Sequence, residues 1–200
     1  MSKIIGISLI LGPLLLLLIF AGIWPAANLY GAEALTALLA NQTYTLLLMG
    51  VGGSAFLMIT GGSLILSQSQ AEQGEASHKQ ILMLGNMLFV VSLGLFMLQG
   101  SLIIGAMNLF SASSSDAVLM HLFSDHITDI MPFTLGGGMI LLSLSGIHGS
   151  LKPRITGLLL LPGILFIMGL FTTSDNFGFV SWMIFTATYV IVGIAVLAKK

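Results

Sequence analysis

Two histidines and two carboxylates lie close together and form the group of side chains with the most chemical potential. They are His121, Asp125, His126 and Asp129. At 100° per residue of an α-helix, His121, Asp125 and Asp129 share one stripe, and His126 lies to the side of it. A histidine and a carboxylate four residues apart can bind a divalent metal, and a carboxylate can orient a histidine that transfers protons.

Three interpretations of this group are open. In the first, the polar stripe of an amphipathic helix faces water or lipid headgroups while its apolar side packs on the protein. In the second, His126 and Asp129 bond across helices. In the third, all four side chains hold a metal, but zinc or copper would need a further ligand, and His78 and His148 are predicted on the opposite side of the membrane. We therefore predict no cofactor and keep the four residues only as metal candidates.

Asp129 lies at the border of a predicted hydrophobic segment, where an ionised carboxylate is costly unless it is partnered or hydrated. No Lys or Arg falls inside the predicted crossings, which argues against a buried ion pair; water, His126, Asn86, Gln99 or a ligand could satisfy it. Asn86 and Gln99 are uncharged amides within one apolar segment, and such amides usually bond a neighbouring helix. Together with Ser92 and Asp129 they are also the side chains that could line a polar cavity.

The segments that must position these residues are strongly apolar. Of the 200 residues, 56% are hydrophobic and only 6% are charged. A soluble domain carries about a quarter charged residues, and a membrane crossing needs about 20 mostly apolar ones. We therefore predict one transmembrane domain over 1–200, an all-α membrane protein. Its six predicted crossings are 4–24, 43–66, 81–107, 130–147, 155–171 and 177–198.

The positive charges predict how this bundle is oriented. With six crossings, every Lys and Arg falls on one side of the membrane: Lys3, Lys79, Lys152, Arg154, Lys199 and Lys200. Cytoplasmic loops retain Lys and Arg, so both termini are expected in the cytoplasm. The predicted location is the cytoplasmic (inner) membrane of a bacterium or archaeon.

A short outer amphipathic helix is predicted before the fourth crossing, over 116–130. The serines before Asp116 and Asp116 itself are typical of a helix start. Pro132 follows and is expected to bend the junction with the fourth crossing.

Several classes of function are disfavoured by composition. The chain has no cysteine, which excludes disulfides, thiolate catalysis and iron–sulfur clusters. The formal charge of −1 offers no basic face for nucleic acid. No catalytic triad or nucleotide-binding motif is present.

We expect the protein to reside in the lipid bilayer, and its sequence favours a non-enzymatic function over an enzymatic one. The leading hypothesis is an accessory or structural subunit that packs against other membrane subunits or a second copy. A transporter or channel for a small or lipophilic solute is the second hypothesis, and a membrane enzyme with a metal at the outer boundary is the third.

Three segments also carry a family pattern. They are Ile5-Gly6 with Gly12, then Leu39-Ala40-Asn41, and 148–163 (HGSLKPRITGLLLLPG), in which a short loop with Pro-Arg-x-x-Gly precedes a leucine-rich run. With these motifs the chain resembles a bacterial family of six-helix membrane proteins known only as a domain of unknown function. It departs from that family at 44–48, where an arginine is expected. The resemblance implies a six-helix architecture and supplies no catalytic residue.

Overall fold

The computed structural model describes residues 3–27, 29–71, 76–145, 153–172 and 175–199. Within these ranges the chain is helical and has no strand. Helix α1 (Lys3–Leu18) continues into a π-helical segment, Ile19–Ile23. It is followed by α2 (Gly31–Ala40), α3 (Gln42–Ala71), α4 (Ala76–Leu109), α5 (Ser114–Ser145), α6 (Pro153–Gly157), α7 (Leu160–Gly169) and α8 (Asp175–Ala198). Lys152, Lys200 and the connection 146–152, which includes His148, lie outside the described residues.

Five of the described helices are long and apolar enough to cross a membrane. They are Lys3–Ile23, Gln42–Ala71, His78–Leu109, Ser114–Ser145 and Asn176–Ala198. The chain is therefore an all-α protein with the helices of a multi-pass membrane protein. The predicted crossing 155–171 corresponds to α6 and α7, whose combined apolar stretch, Arg154–Gly169, is shorter than the other five.

The break between α6 and α7 follows from Pro162. A proline has no backbone N–H, so it cannot bond the carbonyl four residues before it. The Leu158 carbonyl instead accepts the N–H of Leu161 at 3.3 Å, which closes a tighter turn. The helical path then resumes, and the Gly163 N–H bonds the Leu159 carbonyl at 3.2 Å.

The outer helix predicted over 116–130 is not a separate element. It is the first half of α5, which runs without interruption from Ser114 to Ser145. Pro132 lies inside α5 and does not end it, because a proline removes one helical hydrogen bond and neighbouring packing can hold the rest. That packing comes from α4, whose Ser92 Oγ lies 2.7 Å from Thr134 Oγ1 of α5.

Glycine contacts fix the antiparallel order of the helices. A methyl group added to Gly6 in α1 would lie 2.8 Å from the Gly193 oxygen of α8, and one added to Gly136 in α5 would lie 2.7 Å from the Gly163 oxygen of α7. The start of α1 and the end of α8 are therefore together. We call this the basic end, because Lys3, Lys79, Arg154 and Lys199 begin or end helices there.

The opposite end, which we call the α2 end, has a hydrophobic cluster of its own. In it α2 covers the end of α4 and the start of α5, and the buried residues are Ala26, Ala34, Leu35, Leu38, Ile103, Ala106, Met107 and Ala117. Thr45 Oγ1 of α3 donates to the Leu38 carbonyl at 2.8 Å and fixes the end of α2. The larger core lies between the long helices and α7.

Candidate binding site at the α2 end

A cavity of about 330 Å³ lies where the α2 cluster meets the long helices. Its walls come from the end of α1, the segment that leads to α2, and helices α2, α3, α4 and α5. Four of the residues singled out from the sequence line it: Gln99, His121, Asp125 and Asp129. We call this space the polar cavity.

His121 and Asp125 form the more enclosed pair. His121 Nδ1 lies 3.3 Å from Asp125 Oδ2, within ion-pair range if the ring is protonated. The same Nδ1 is buried and makes no hydrogen bond. The two groups are therefore close to each other, but they are not aligned as a hydrogen bond requires. The His121 side chain is 7% exposed and the Asp125 side chain 44%.

His126 and Asp129 form a second and far more open pair. His126 Nδ1 lies 3.5 Å from Asp129 Oδ2, and about three quarters of each side chain is exposed, 76% and 75% respectively. Asp129 also borders the polar cavity, whereas His126 is not among the residues that line it.

The four metal candidates therefore separate into two pairs along α5. Among the described residues, no three His, Asp or Glu side chains are grouped so that they could hold a metal ion. His78 lies in the first turn of α4 at the basic end, at the opposite end of the bundle. A third ligand from the described chain is thus missing for either pair.

The three uncharged candidates on α4 have different surroundings. Gln99 borders the polar cavity, and its amide makes no hydrogen bond within the described part of the chain. Ser92 is buried and bonded to Thr134. Asn86 lies next to Gly85, which packs on α5 near Leu141, and its Oδ1 is buried without a hydrogen bond. Of the three, only Gln99 belongs to this cavity.

Aromatic rings form much of the remaining wall of the polar cavity, and sequence reasoning did not identify them as site residues. They are Phe20, Trp24, Tyr30 and Phe96. Trp24 and Tyr30 lie at and just beyond the predicted end of the first crossing, a position typical of aromatics at the membrane surface. The available signal was the Trp24-Pro25 pair, since a proline ends the first helix and leaves the ring at its end.

A second, mostly apolar cavity of about 270 Å³ adjoins the first. We call it the apolar cavity. Its lining residues are Leu16, Leu17, Phe20, Ala21, Phe96, Gln99, Thr128, Met131, Phe179 and Trp182. Phe20, Phe96, Gln99 and Thr128 line both spaces. A polar compartment and an apolar compartment therefore share one wall.

Thr128 also borders a third space, of about 410 Å³, between α5, α7 and α8. The Thr128 carbonyl is the one that Pro132 leaves without its helical N–H donor. Its hydroxyl donates to the Ser124 carbonyl at 3.1 Å. The proline in α5 thus places an additional backbone acceptor at the level where the cavities meet.

No family model, curated protein or solved structure matches this chain. The resemblance to the six-helix bacterial family therefore rests on the sequence motifs alone.

Proposed function

We propose that this protein binds a small amphipathic molecule at the α2 end, as a transporter of lipophilic solutes does. The observation that carries the proposal is the shared wall between the polar and apolar cavities, formed by Phe20, Phe96, Gln99 and Thr128. A ligand that spans both cavities would place its polar group near Asp125 and its apolar part against α1 and α8.

The dimensions of the two cavities support this proposal. Ligand pockets usually measure about 300–1,000 Å³ and are mostly apolar, with a few polar groups that fix orientation. The polar cavity is about 330 Å³ and the apolar cavity about 270 Å³. Together they offer room for a ligand of drug-like size.

We also propose that the chain crosses the membrane six times, with both termini in the cytoplasm. The contact of Gly6 with Gly193 supports an even number of crossings, because five would separate the termini. The gathering of Lys3, Lys79, Arg154 and Lys199 at one end supports a cytoplasmic basic end. In this arrangement α6 and α7 together make the fifth crossing.

This topology puts the cavities near the outer membrane surface. Trp24, which follows the π-helical segment, and Gly169 at the end of α7 both border these spaces. On α4, Gln99 lies at the same level. It is about 27 Å from Ile81, the start of the predicted third crossing, at 1.5 Å per residue. That distance is close to the thickness of a bilayer core, about 30 Å.

The accessory-subunit hypothesis has no comparable support. Many large apolar side chains on the outside of the bundle are exposed, among them Leu47, Met83 and Val90. Lipid tails cover such side chains as well as a partner protein would. The exposed surface therefore does not favour a partner, whereas the paired cavities favour a ligand.

Tryptophan fluorescence tests the proposal directly. The chain has two tryptophans, and Trp24 borders the polar cavity while Trp182 borders the apolar one. Decanol, decanoate and decylammonium are titrated into protein held in nanodiscs of an uncharged glycolipid. We expect at least one of these probes to give a saturable change in emission, because a bound chain alters the surroundings of both rings.

Two glycines of α3 provide the matched variants. Gly52→Leu is expected to abolish the saturable change, because Gly52 lines the polar cavity and a larger side chain would fill it. Gly50→Leu is the control, since a methyl group added there would meet no atom within 4 Å and Gly50 lines none of these cavities. Failure of all three probes, or an equal response of the two variants, would overturn the proposal.

A further inference from the structure

The walls of the polar cavity indicate the charge of its ligand, a conclusion that rests on the proposed function. We infer that the ligand is an organic cation, an alkylammonium with an apolar body, whose charged group lies beside Asp125 and Asp129. Both carboxylates line the polar cavity. The apolar body then occupies the neighbouring apolar cavity.

The distribution of charge along the bundle is the first step. The described Lys and Arg residues are all at the basic end: Lys3, Lys79, Arg154 and Lys199. The described residues of the α2 end include carboxylates and two histidines but no Lys or Arg, and no Lys or Arg pairs with Asp125 or Asp129. A carboxylate near the membrane surface is stabilised by a cation, and among the described residues only the two histidines, His121 and His126, lie beside these carboxylates.

The polar groups beside the carboxylates are the second step. His121 is 6% exposed, lines the cavity, and has a ring nitrogen without a hydrogen bond. Gln99 lines the same cavity, and its amide has no partner within the described chain. An amide oxygen can accept a hydrogen bond from an ammonium N–H.

The aromatic wall is the third step and separates an organic cation from a metal ion. Phe20, Trp24, Tyr30 and Phe96 line the cavity. Aromatic faces attract ammonium groups, and this attraction strengthens where water is excluded. A metal ion would gain little from these rings, and the described residues offer no set of three ligands for one.

The three probes of equal chain length separate this inference from the proposed function. Decylammonium is positive, decanol uncharged and decanoate negative, and the glycolipid nanodisc has no charge that would concentrate any of them. We expect decylammonium to bind about tenfold more tightly than decanol, which corresponds to one favourable charge interaction at a partly exposed site. Decanoate is expected to bind more weakly than decanol.

Variants assign the preference to the cavity. Asp125→Asn with Asp129→Asn is expected to reduce the affinity for decylammonium to that of decanol and to leave decanol unchanged. Glu33→Gln is the control, because Glu33 is an exposed carboxylate of α2 that does not line the cavity. It should have no effect on either probe.

Each result has one meaning. Saturable decanol binding that equals decylammonium binding would overturn the charge inference and leave the proposed function standing. A loss in Glu33→Gln as large as in the double variant would show attraction by general surface charge and would also overturn it. If no probe binds, the proposed function and the charge inference fail together.

Discussion

The hydrogen bond between Ser63 and Tyr189 joins α3 to α8 inside the bundle. The two hydroxyl oxygens are 3.0 Å apart, and both side chains are buried, at 0% and 1% exposure. Bonds of this kind between membrane helices contribute about 0.6 kcal/mol on average and up to about 1.7 kcal/mol. The Tyr189 ring also packs on Phe185, with centroids 4.6 Å apart, and this packing does not depend on the hydroxyl.

Removing only the Tyr189 hydroxyl should therefore lower the free energy of unfolding by about 1 kcal/mol. Tyr189→Phe keeps the ring and its packing but leaves Ser63 without its partner across the bundle. The measurement is a reversible denaturant titration in mixed micelles. Tyr44→Phe is the matched control, because its hydroxyl is at the surface and 3.5 Å from the Ile23 oxygen. Equal losses in the two variants would contradict this assignment.

At this scale the sequence predicted which residue types were available but not which of them meet. Asn86 and Gln99 are both amides of α4, yet only Gln99 borders the polar cavity. They are about 20 Å apart along the helix and face nearly opposite sides of it. Periodicity gives that separation, but it cannot identify which face meets a cavity, because the facing helices are not known from one segment.

The contact between α5 and α7 depends on the absence of side chains at two glycines. A methyl group added to Gly163 would lie 2.8 Å from both the Gly136 oxygen and Ile140 Cγ1. Small residues of this kind let helix backbones approach closely in lipid. Because the nearest atoms include backbone, the helices themselves would have to separate to accommodate a larger residue.

Gly163→Ala is therefore expected to destabilise the bundle by about 1–3 kcal/mol, the usual cost of overpacking. The measurement is the midpoint of denaturant-induced unfolding in mixed micelles. Gly94→Ala in α4 is the control, since a methyl group there meets nothing within 4 Å, and the higher helix propensity of alanine gives a neutral or slightly positive effect. A stable Gly163→Ala protein would contradict the close α5–α7 contact.

The helices themselves were predicted well, while their ends and contacts were predicted less well. Hydropathy identified the apolar part of every long helix. It placed the end of the second crossing at residue 66, although α3 continues to Ala71 and buries Gln70 completely. Among the glycines of α3, Gly62 packs closely on Leu9 of α1, whereas Gly50 and Gly61 meet nothing within 4 Å. Composition alone does not identify the face that a helix presents to its neighbour.

For the whole molecule, the number of crossings and the position of the termini are linked. Lys3 and Lys199 lie at the same end, as the packing of Gly6 against Leu197 and Gly193 requires. The chain can return to that end only if α6 and α7 carry it back across the bundle. Their stretch of 154–169 measures about 24 Å at 1.5 Å per residue, somewhat less than a bilayer core. Local thinning of the lipid can accommodate this difference at modest cost.

Cysteine labelling on intact cells tests this arrangement, and the natural chain contributes no background because it has no cysteine. We expect a membrane-impermeant maleimide to label Ala112→Cys and Phe171→Cys in intact cells, because these exposed positions lie in the α4–α5 turn and beyond α7 at the outer side. Gln68→Cys and Lys199→Cys, exposed at the basic end, should react only after lysis. If α6 and α7 did not cross, Phe171→Cys would be protected from the maleimide in intact cells. Lys199→Cys would then be labelled in intact cells, as Ala112→Cys is. That pattern would overturn six crossings and would put the start of α1 and the end of α8 on opposite sides of the membrane, against their observed contact.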